Sequence, residues 1–280
     1  MRKVARPTDP AMGVFLTCIS KIRNEDLKSR LTSVATNIAD AETAFENAAA
    51  VARLHTLHTH SDVGGRVSGQ EMSDVYDLRM AKQETPGRPF YDKLIAAVTH
   101  SRCPLCAQRV VSTLDHHLPK SQFPALAVCP INLIPACADC NKLKLDVVPD
   151  VAEEQTLHPY FDDVENERWL YARIVRTAPA AARFFVETAA VRNPVRAARV
   201  RHHVTTFKLT ALYASHAADE LVNIRHGLQK LFLHAGVAGV KAHLREKAES
   251  CFAAHTNSWQ TALYSALAED DWYCSGGFQA

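Results

Sequence analysis

Long apolar runs are missing from this sequence, and their absence excludes a membrane-spanning helix. No stretch approaches the roughly 18 consecutive apolar residues that such a helix requires. The chain opens on basic residues without the apolar segment of a signal peptide, so we expect it to remain in the cytoplasm. In that reducing compartment its 8 cysteines are expected to bind metal or to pack in the core rather than to form disulfides.

A large excess of charge of one sign is also missing. The formal net charge of the 280 residues is +2, which neither requires nor excludes a nucleic-acid partner, because local charge decides that question. The sequence has no glycine-rich phosphate-binding loop, so any ATP-dependent step would need a partner protein. Hydrophobic residues make up 47% of the chain and charged residues 22%, which is typical of a globular protein with a sizeable core.

The first hundred residues have the periodicity of helices interrupted by one polar segment. In residues 24–60 the apolar positions recur at steps of three and four and predict a helix; they are Leu27, Leu31, Val34, Ile38, Ala41 and Phe45. Residues 61–89 are polar and rich in glycine and proline, which predicts a loop or a hinge. Residues 90–98 then predict a short helix.

The last hundred residues also have helical periodicity. Beyond Asn193 the apolar positions share helix faces, and Gly236 and Gly239 predict a break between two helices. Residues 168–190 fit either a strand pair or a helix. The aromatic, glycine-containing end of the chain is expected to pack against the rest of the protein.

Two pairs of cysteines form the strongest motif of the sequence. Cys103 and Cys106 are separated by two residues, as are Cys137 and Cys140. Two such thiolate pairs, each on a tight turn, make a tetrahedral zinc site. Thirty residues separate the pairs, more than in simple zinc ribbons, so we expect the zinc site to enclose a structure of its own.

The enclosed segment has the pattern strand, loop, strand, helix. Residues 109–116 are rich in β-branched side chains and predict a strand that ends on Asp115 and His116. Three prolines predict an irregular loop after it, and residues 131–136 predict a second extended piece. A helix is predicted to begin at Ala138.

This segment resembles the HNH nuclease motif of the ββα-metal class, in its four-cysteine form. The motif begins with Asp-His-x-x-Pro, which is matched by residues 115–119, and its central asparagine is matched by Asn132. Its third position, just after the second cysteine pair, is matched by Asn141. Outside the motif, residues 158–163 and 272–278 are similar to sequences that flank HNH cores in bacterial phage-defence proteins.

The resemblance implies two metals with different tasks. The four cysteines would hold a structural Zn²⁺, whereas Asp115 and Asn141 would hold a catalytic Mg²⁺ or Mn²⁺, which prefer oxygen ligands. His116 would be the general base that deprotonates water, because a histidine is titratable near neutral pH. Asn132 would brace the loop and orient His116.

Two adjacent histidines leave two candidates for the base. If the motif is read one residue later, as in the colicin-type version, His116 binds the metal and His117 is the catalytic base. The distance to Pro119 in the sequence favours His116. Neighbouring residues of a strand point to opposite faces, so only one of the two can face the metal, and His117 is expected to be structural or close to the phosphate.

Six basic residues are candidates for contacts with a nucleic acid. They are Lys120, Lys142, Lys144, Arg192, Arg196 and Arg199. The three arginines lie near one face if the segment is helical, and a ridge of this kind binds phosphates. An ordinary basic surface accounts for them equally well.

We therefore expect a mainly α protein of the α+β class, with a zinc-stabilised ββα-metal core in residues 99–150 between mainly helical regions 1–98 and 151–280. The expected function is metal-dependent hydrolysis of phosphodiester bonds, with DNA as the preferred candidate substrate over RNA. By analogy alone, the protein would be the effector nuclease of an anti-phage defence system with a regulatory ATPase as partner. The alternatives are an RNA-cleaving HNH nuclease and a zinc-stabilised nucleic-acid-binding or assembly protein without catalysis.

Overall fold

A computed structural model describes all residues 1–280. The chain groups into two compact units, Met1–Asp163 and Val164–Ala280. The protein is 55% helical and contains three separate two-stranded sheets, which confirms the mainly helical α+β class. None of its helices combines the length and apolar character needed to cross a lipid bilayer.

The first unit contains six α-helices and four short strands. The helices are α1 Ala11–Ile19, α2 Glu25–Ser33, α3 Ala35–Ala50, α4 Gly69–Val75, α5 Arg88–Ala96 and α6 Ala138–Lys144. The strands form two antiparallel pairs, β1 Asp62–Val63 with β2 Val67–Ser68 and β3 Thr113–His116 with β4 Leu133–Ala136. The prediction of a short helix at residues 90–98 is confirmed by α5.

The apolar stripe of residues 24–60 is buried as predicted, but it lies on two helices rather than one. At Val34 the backbone leaves helical geometry, with φ −103° and ψ 8°, and α3 begins at the next residue. The Val34 N–H bonds to the carbonyl oxygens of both Leu31 and Thr32, which closes the last turn of α2 tightly. After Ala50 the chain turns rather than continuing as a helix, because Ala52 is left-handed.

The prediction of a loop or hinge over residues 61–89 is wrong for most of that segment. It forms the β1–β2 hairpin and α4, and then a π-helical turn over Tyr76–Ala81. Ser68 and Glu71 form a capping box at the start of α4, in which each side chain bonds to the backbone N–H of the other residue. Met72 and Met80 are completely buried, so this segment belongs to the core.

The cysteine-containing segment shares its core with the N-terminal helices. Leu118, Phe123 and Leu133 belong to the same buried cluster as Phe15 of α1 and Phe45 of α3. Residues 99–150 therefore lie inside the first unit, together with the region 1–98. The boundary between the two units falls after Asp163 and thus differs from the boundaries expected after residues 98 and 150.

The second unit is a hairpin packed against helices. Its elements are β5 Leu170–Val175, β6 Ala181–Val186, α7 Pro194–Thr206, α8 Leu209–Ala254, α9 Trp259–Glu269 and α10 Asp271–Cys274. Residues 168–190 thus form a strand pair. The helix α8 is interrupted at Gly236, which has φ 60°, as predicted. Tyr273 and Phe278 are buried, which confirms that the end of the chain packs against its own unit.

Candidate active site

The four motif cysteines form one cluster. Their sulfur atoms all lie within 4.8 Å of one another, and all four residues are buried. On the first turn, the Cys103 N–H donates to the Arg109 carbonyl oxygen at 2.8 Å and the Ala107 N–H donates to the Cys103 carbonyl oxygen at 2.7 Å. Ala107 has φ 59°, the left-handed conformation that a turn this tight requires.

The chemistry of the cluster fits a structural zinc ion. Backbone N–H groups point at two of the sulfurs, from Arg109 to Cys106 Sγ and from Cys140 to Cys137 Sγ, each at 3.4 Å. Such donors stabilise thiolates, the form in which cysteine binds zinc. Arg109 also makes an ion pair at 2.7 Å with Asp139, so a salt bridge joins the two turns across the cluster.

The cysteine cluster holds a ββα arrangement together. In the antiparallel pair, Asp115 of β3 is opposite Ile134 of β4, and His116 is opposite Leu133. Cys137 ends β4 and caps α6, because its sulfur accepts from the Cys140 N–H. The helix α6, which carries Asn141, packs against β3. The predicted order of strand, loop, strand and helix is therefore present.

Asp115 is a buried carboxylate with incomplete hydrogen bonding. Only 3% of the residue is exposed, and one oxygen, Oδ1, lies 3.5 Å from the ammonium group of Lys144. The other oxygen, Oδ2, is buried without a hydrogen-bond partner. Burial raises the pKa of Asp115 to about 6, although Lys144 opposes the shift. A buried acceptor in this state is costly, and a cation would satisfy it.

His116 is held in one tautomer by a backbone carbonyl group. Its Nε2 lies 2.8 Å from the Ala127 oxygen, and because a carbonyl oxygen only accepts, Nε2 carries the proton. Nδ1 is therefore left with the lone pair of a base. The ring packs edge-on against Tyr76, with centroids 4.4 Å apart. Burial lowers the pKa of His116 to about 3, so the imidazole is neutral at physiological pH.

The neighbouring His117 has different surroundings. It is buried, and its N–H donates to the Asn132 carbonyl oxygen at 2.8 Å. Its ring lies 4.3 Å from the ring of His158, whose own ring contacts Phe45 and Phe161. His116 and His117 thus contact separate groups, and the placement of His117 in an aromatic cluster fits a structural role.

Asn132 braces the loop between the two strands. It is completely buried; its Oδ1 accepts from the Leu118 N–H at 2.8 Å, and its Nδ2 donates to the carbonyl oxygens of Leu118 and Leu126. The residue after Leu126 is Ala127, whose carbonyl group holds His116. Asn132 therefore fixes the backbone that orients the histidine without facing solvent itself.

The three candidate lysines differ in their environments. Lys144 is buried, and its Nζ donates to the His116 carbonyl oxygen at 2.6 Å, so it stabilises the site from inside. Lys120 bonds to both carboxylate oxygens of Asp77 and lies 4.7 Å above the ring of Tyr76. Lys142 is exposed on α6, where it is accessible to a phosphate.

The three candidate arginines do not form the expected exposed ridge: Arg192 is exposed but precedes α7, and only Arg196 and Arg199 lie on the helix. Arg199 is 3% exposed, because it lies on the same face of the helix as the buried residues Val200 and His203. Arg196 makes an ion pair with Glu167 at 3.3 Å. Helical spacing placed the three residues near one face, but it gave no information about which face packs inward.

Two contributors to the site were missed in the sequence. Tyr76, against which His116 packs, fell in the segment that was predicted to be a loop. The pattern Ser68-x-x-Glu71 followed by apolar residues at helical spacing was the available signal, since it is the signature of a capping box. The Ala127 carbonyl group carries no signal in the sequence, because any residue could supply it.

Comparison with known proteins finds a relative in a bacteriophage. Protein ea31 of Escherichia phage lambda is 31% identical to this chain over 176 residues, which cover 61% of this chain and 59% of that protein. The chain thus matches less than two thirds of the length of this relative. No protein-family profile matches the chain. No solved structure matches it either.

Proposed function

We propose that this protein is a metal-dependent HNH-type endonuclease that hydrolyses phosphodiester bonds, with DNA as the first candidate substrate. The observation that carries the proposal is the pairing of two groups at the end of β3. His116 presents Nδ1 as a base while its Nε2 is tied to a backbone carbonyl oxygen. The adjacent Asp115 keeps one buried carboxylate oxygen without a partner.

Hydrolysis of a phosphodiester needs a base that removes a proton from water. In the proposed reaction Nδ1 of His116 takes that proton, and the Nε2 hydrogen bond to Ala127 stabilises the charged ring that results. The neutral state of the ring at physiological pH, which follows from its lowered pKa, keeps the base available. Asn132 acts only through the loop, so it is a positioning residue.

The two side chains proposed to bind a hard divalent cation lie on neighbouring elements, Asp115 on β3 and Asn141 on α6. Asp115 and Asn141 offer oxygen ligands, which Mg²⁺ and Mn²⁺ prefer. When bound, such an ion supplies positive charge to the phosphate during attack and to the departing oxygen. The cysteine cluster with its zinc ion has a separate task, since it keeps α6 and its Asn141 beside β3.

Two alternatives concern the substrate and the presence of catalysis. An RNA-cleaving enzyme would use the same groups, because the base and the oxygen ligands do not distinguish the sugars. A zinc-stabilised binding or assembly protein would use the cysteine cluster but would not need a base with a fixed tautomer. On the resemblance alone, the proposal extends to an effector role in anti-phage defence with an ATPase partner.

A plasmid-cleavage assay with Mg²⁺ or Mn²⁺ tests the proposal. We expect the zinc-loaded protein to nick or linearise supercoiled DNA, and His116→Ala to lose about 10²–10⁴-fold of the rate, the usual contribution of a general base. The control is His243→Ala, which removes an exposed histidine of α8 and should cleave normally. Equal cleavage by the protein and its His116→Ala variant, or no cleavage of DNA or structured RNA, would refute catalysis.

A further inference from the structure

The outward face of the β5–β6 hairpin combines aromatic and arginine side chains. In the register of the pair, Tyr171 is directly opposite Phe185, and Arg173 is directly opposite Arg183. Their neighbours along the strands point to the other face, where Leu170 and Phe184 are buried, and the hairpin packs on that side against α8 and α9. On the outward face Phe185 is 37% exposed, and both arginines are exposed.

Two arginines directly opposite each other are unfavourable in a sheet. Like charges in this position repel, which destabilises the pair. Nearby arginines of the same unit are neutralised, since Arg176 pairs with Asp270 and Arg196 with Glu167. Arg173 and Arg183 instead both remain exposed. A cost of this kind is offset when a polyanion binds across the two side chains.

The aromatic residues of this face are also arranged for a ligand. The rings of Tyr171 and Phe185 lie 5.9 Å apart with planes inclined by only 21°. The guanidinium group of Arg168 lies 4.7 Å from the centre of the Tyr171 ring, which fixes that ring. The half-buried Tyr171 and the exposed Phe185, with parallel rings beside arginines, suit flat partners with nearby negative charge, such as nucleobases on their phosphate backbone.

We propose that the outward face of the β5–β6 hairpin binds single-stranded nucleic acid. Arg173 and Arg183 contact phosphates, and the Tyr171–Phe185 pair stacks on unpaired bases, whose faces are accessible because no duplex covers them. The inference rests on the proposed function, since the bound strand would belong to the nuclease substrate. It adds a second contact surface, in a different unit from the catalytic residues.

The charge of the face argues against two other occupants. In a symmetric pair of copies, the same patch faces itself, so the arginines of both hairpins would be brought into one interface. An acidic protein would satisfy the arginines but has no need of a parallel aromatic pair. The carboxylate that follows β6, Glu187, lies beyond Phe185 at the end of the hairpin away from the arginine pair.

Fluorescence anisotropy with labelled oligonucleotides tests this proposal. The titrations use full-length, zinc-loaded protein carrying His116→Ala, so that cleavage does not intervene, with oligothymidylate of about 15 nucleotides and a duplex of equal length. One variant adds Arg173→Gln with Arg183→Gln, and another adds Tyr171→Leu with Phe185→Leu. The control variant adds Arg245→Gln with Lys247→Gln, which removes the same charge from an exposed part of α8.

The two variants of the face have separate expected signatures. Removal of the arginines should weaken binding of the single strand about tenfold and reduce the slope of log K against log salt by roughly 1.4, as expected for two phosphate contacts. Removal of the aromatic pair should weaken binding about tenfold at an unchanged salt slope, because stacking does not release counterions. The control should bind with the affinity and slope of its parent.

Several results would overturn the inference. One is an equal loss of affinity in the control variant. Another is a loss of duplex affinity in the face variants as large as their loss of single-strand affinity. A third is single-strand affinity in the face variants equal to that of their parent. Binding of polyglutamate in place of every oligonucleotide would also refute it. If the face variants lose binding but the wild-type protein does not cleave, only the proposed nuclease function is refuted. If the wild-type protein cleaves but the face variants bind normally, only the proposed binding face is refuted.

Discussion

At the scale of single residues, the two asparagines of the motif have different surroundings. Asn132 is buried and makes three hydrogen bonds to the loop backbone, whereas Asn141 is half-buried on α6. We expect Asn132→Ala to reduce the free energy of unfolding by about 3 kcal/mol, because it leaves several buried backbone groups without partners. Asn141→Ala should change it by less than about 0.5 kcal/mol.

Urea denaturation in the absence of divalent cations measures this difference, and plasmid cleavage complements it. We expect Asn141→Ala to be folded and inactive, since it removes a proposed ligand of the catalytic ion. An unstable Asn141→Ala variant would assign this residue to the fold rather than to the chemistry. An Asn132→Ala variant as stable as the wild type would mean that the loop is held by other contacts.

Lys144 is a buried cation beside a proposed metal ligand, and we expect it to compete with a divalent ion for Asp115. Its side chain is 7% exposed and that of Asp115 is 5% exposed, with 3.5 Å between the charged atoms. Lys144→Met should lower the free energy of unfolding without divalent cations by about 3 kcal/mol, since the carboxylate loses its partner. The increase in melting temperature on adding Mn²⁺ should then exceed that of the wild type.

Thermal unfolding with and without Mn²⁺ measures both effects. Lys142→Met is the matched control, because Lys142 is exposed on the same helix, and it should behave as the wild type does. If Mn²⁺ raises the melting temperature of Lys144→Met and of the wild type equally, Lys144 does not compete for the carboxylate.

The clustering of the four cysteines could be predicted from the sequence, whereas contacts made by backbone groups could not. Four cysteines at zinc-binding spacing can be recognised in the sequence, and they are clustered. The proposal of His116 rather than His117 as the base rests on the carbonyl group of Ala127 and the ring of His158. Both partners are far enough along the chain that only the folded loop brings them to the histidines.

At the scale of elements, the cysteine cluster brings the first turn of α6 beside the turn before β3. Cys137 caps α6 and Cys140 lies within it, so loss of the metal should release the helix from the strand. We expect Cys140→Ser to reduce the zinc content from about one ion per chain to none, as ligand removal does in structural sites. Elemental analysis of the purified protein measures the zinc content. Plasmid cleavage by the same variant should be lost.

The control for this prediction is Cys251→Ser, because Cys251 is half-buried on α8 and lies outside the cluster. That variant should keep its zinc and its activity. Retention of zinc by Cys140→Ser would show that the four thiols are not the ligand set, and loss of zinc without loss of cleavage would show that the cluster is unnecessary for positioning Asn141.

Periodicity in the sequence predicts which face of an element is buried better than where the element ends. The stripe from Leu31 to Phe45 is buried as predicted, but the helix breaks at Val34 because local hydrogen bonds close α2 there. In residues 61–89 the glycines led to the prediction of a loop or hinge where the chain forms regular structure. Gly64 and Gly65 form the turn of a hairpin, with φ 60° and 65°, and the capping box after it starts a new helix.

At the scale of the whole molecule, the division into two units separates the proposed chemistry from the proposed binding face. The catalytic candidates and the cysteine cluster all lie in Met1–Asp163, and the β5–β6 hairpin lies in Val164–Ala280. Each unit has buried aromatic residues of its own, such as Phe45 in the first and Trp169 in the second. The sequence did not reveal this boundary, because no proline- or glycine-rich linker marks it.

This division predicts that the two units function separately when the chain is cut after Asp163. We expect the fragment 1–163 to fold with about one zinc ion and to cleave DNA, with an increased KM for single-stranded substrates and a kcat close to that of the intact protein. The fragment 164–280 should contain no zinc and should bind oligothymidylate. The physical reason is that each fragment keeps its own core, and the lost contacts with the strand affect binding more than the chemical step.

Circular dichroism, zinc analysis and steady-state kinetics on the two fragments measure these outcomes, and an uncut chain purified in parallel is the control. Equal KM values for the fragment 1–163 and the intact chain would show that the second unit does not hold the substrate. A folded, zinc-loaded fragment whose kcat is strongly reduced would show that the second unit contributes to the chemical step, because a loss of binding alone leaves the rate at saturation unchanged.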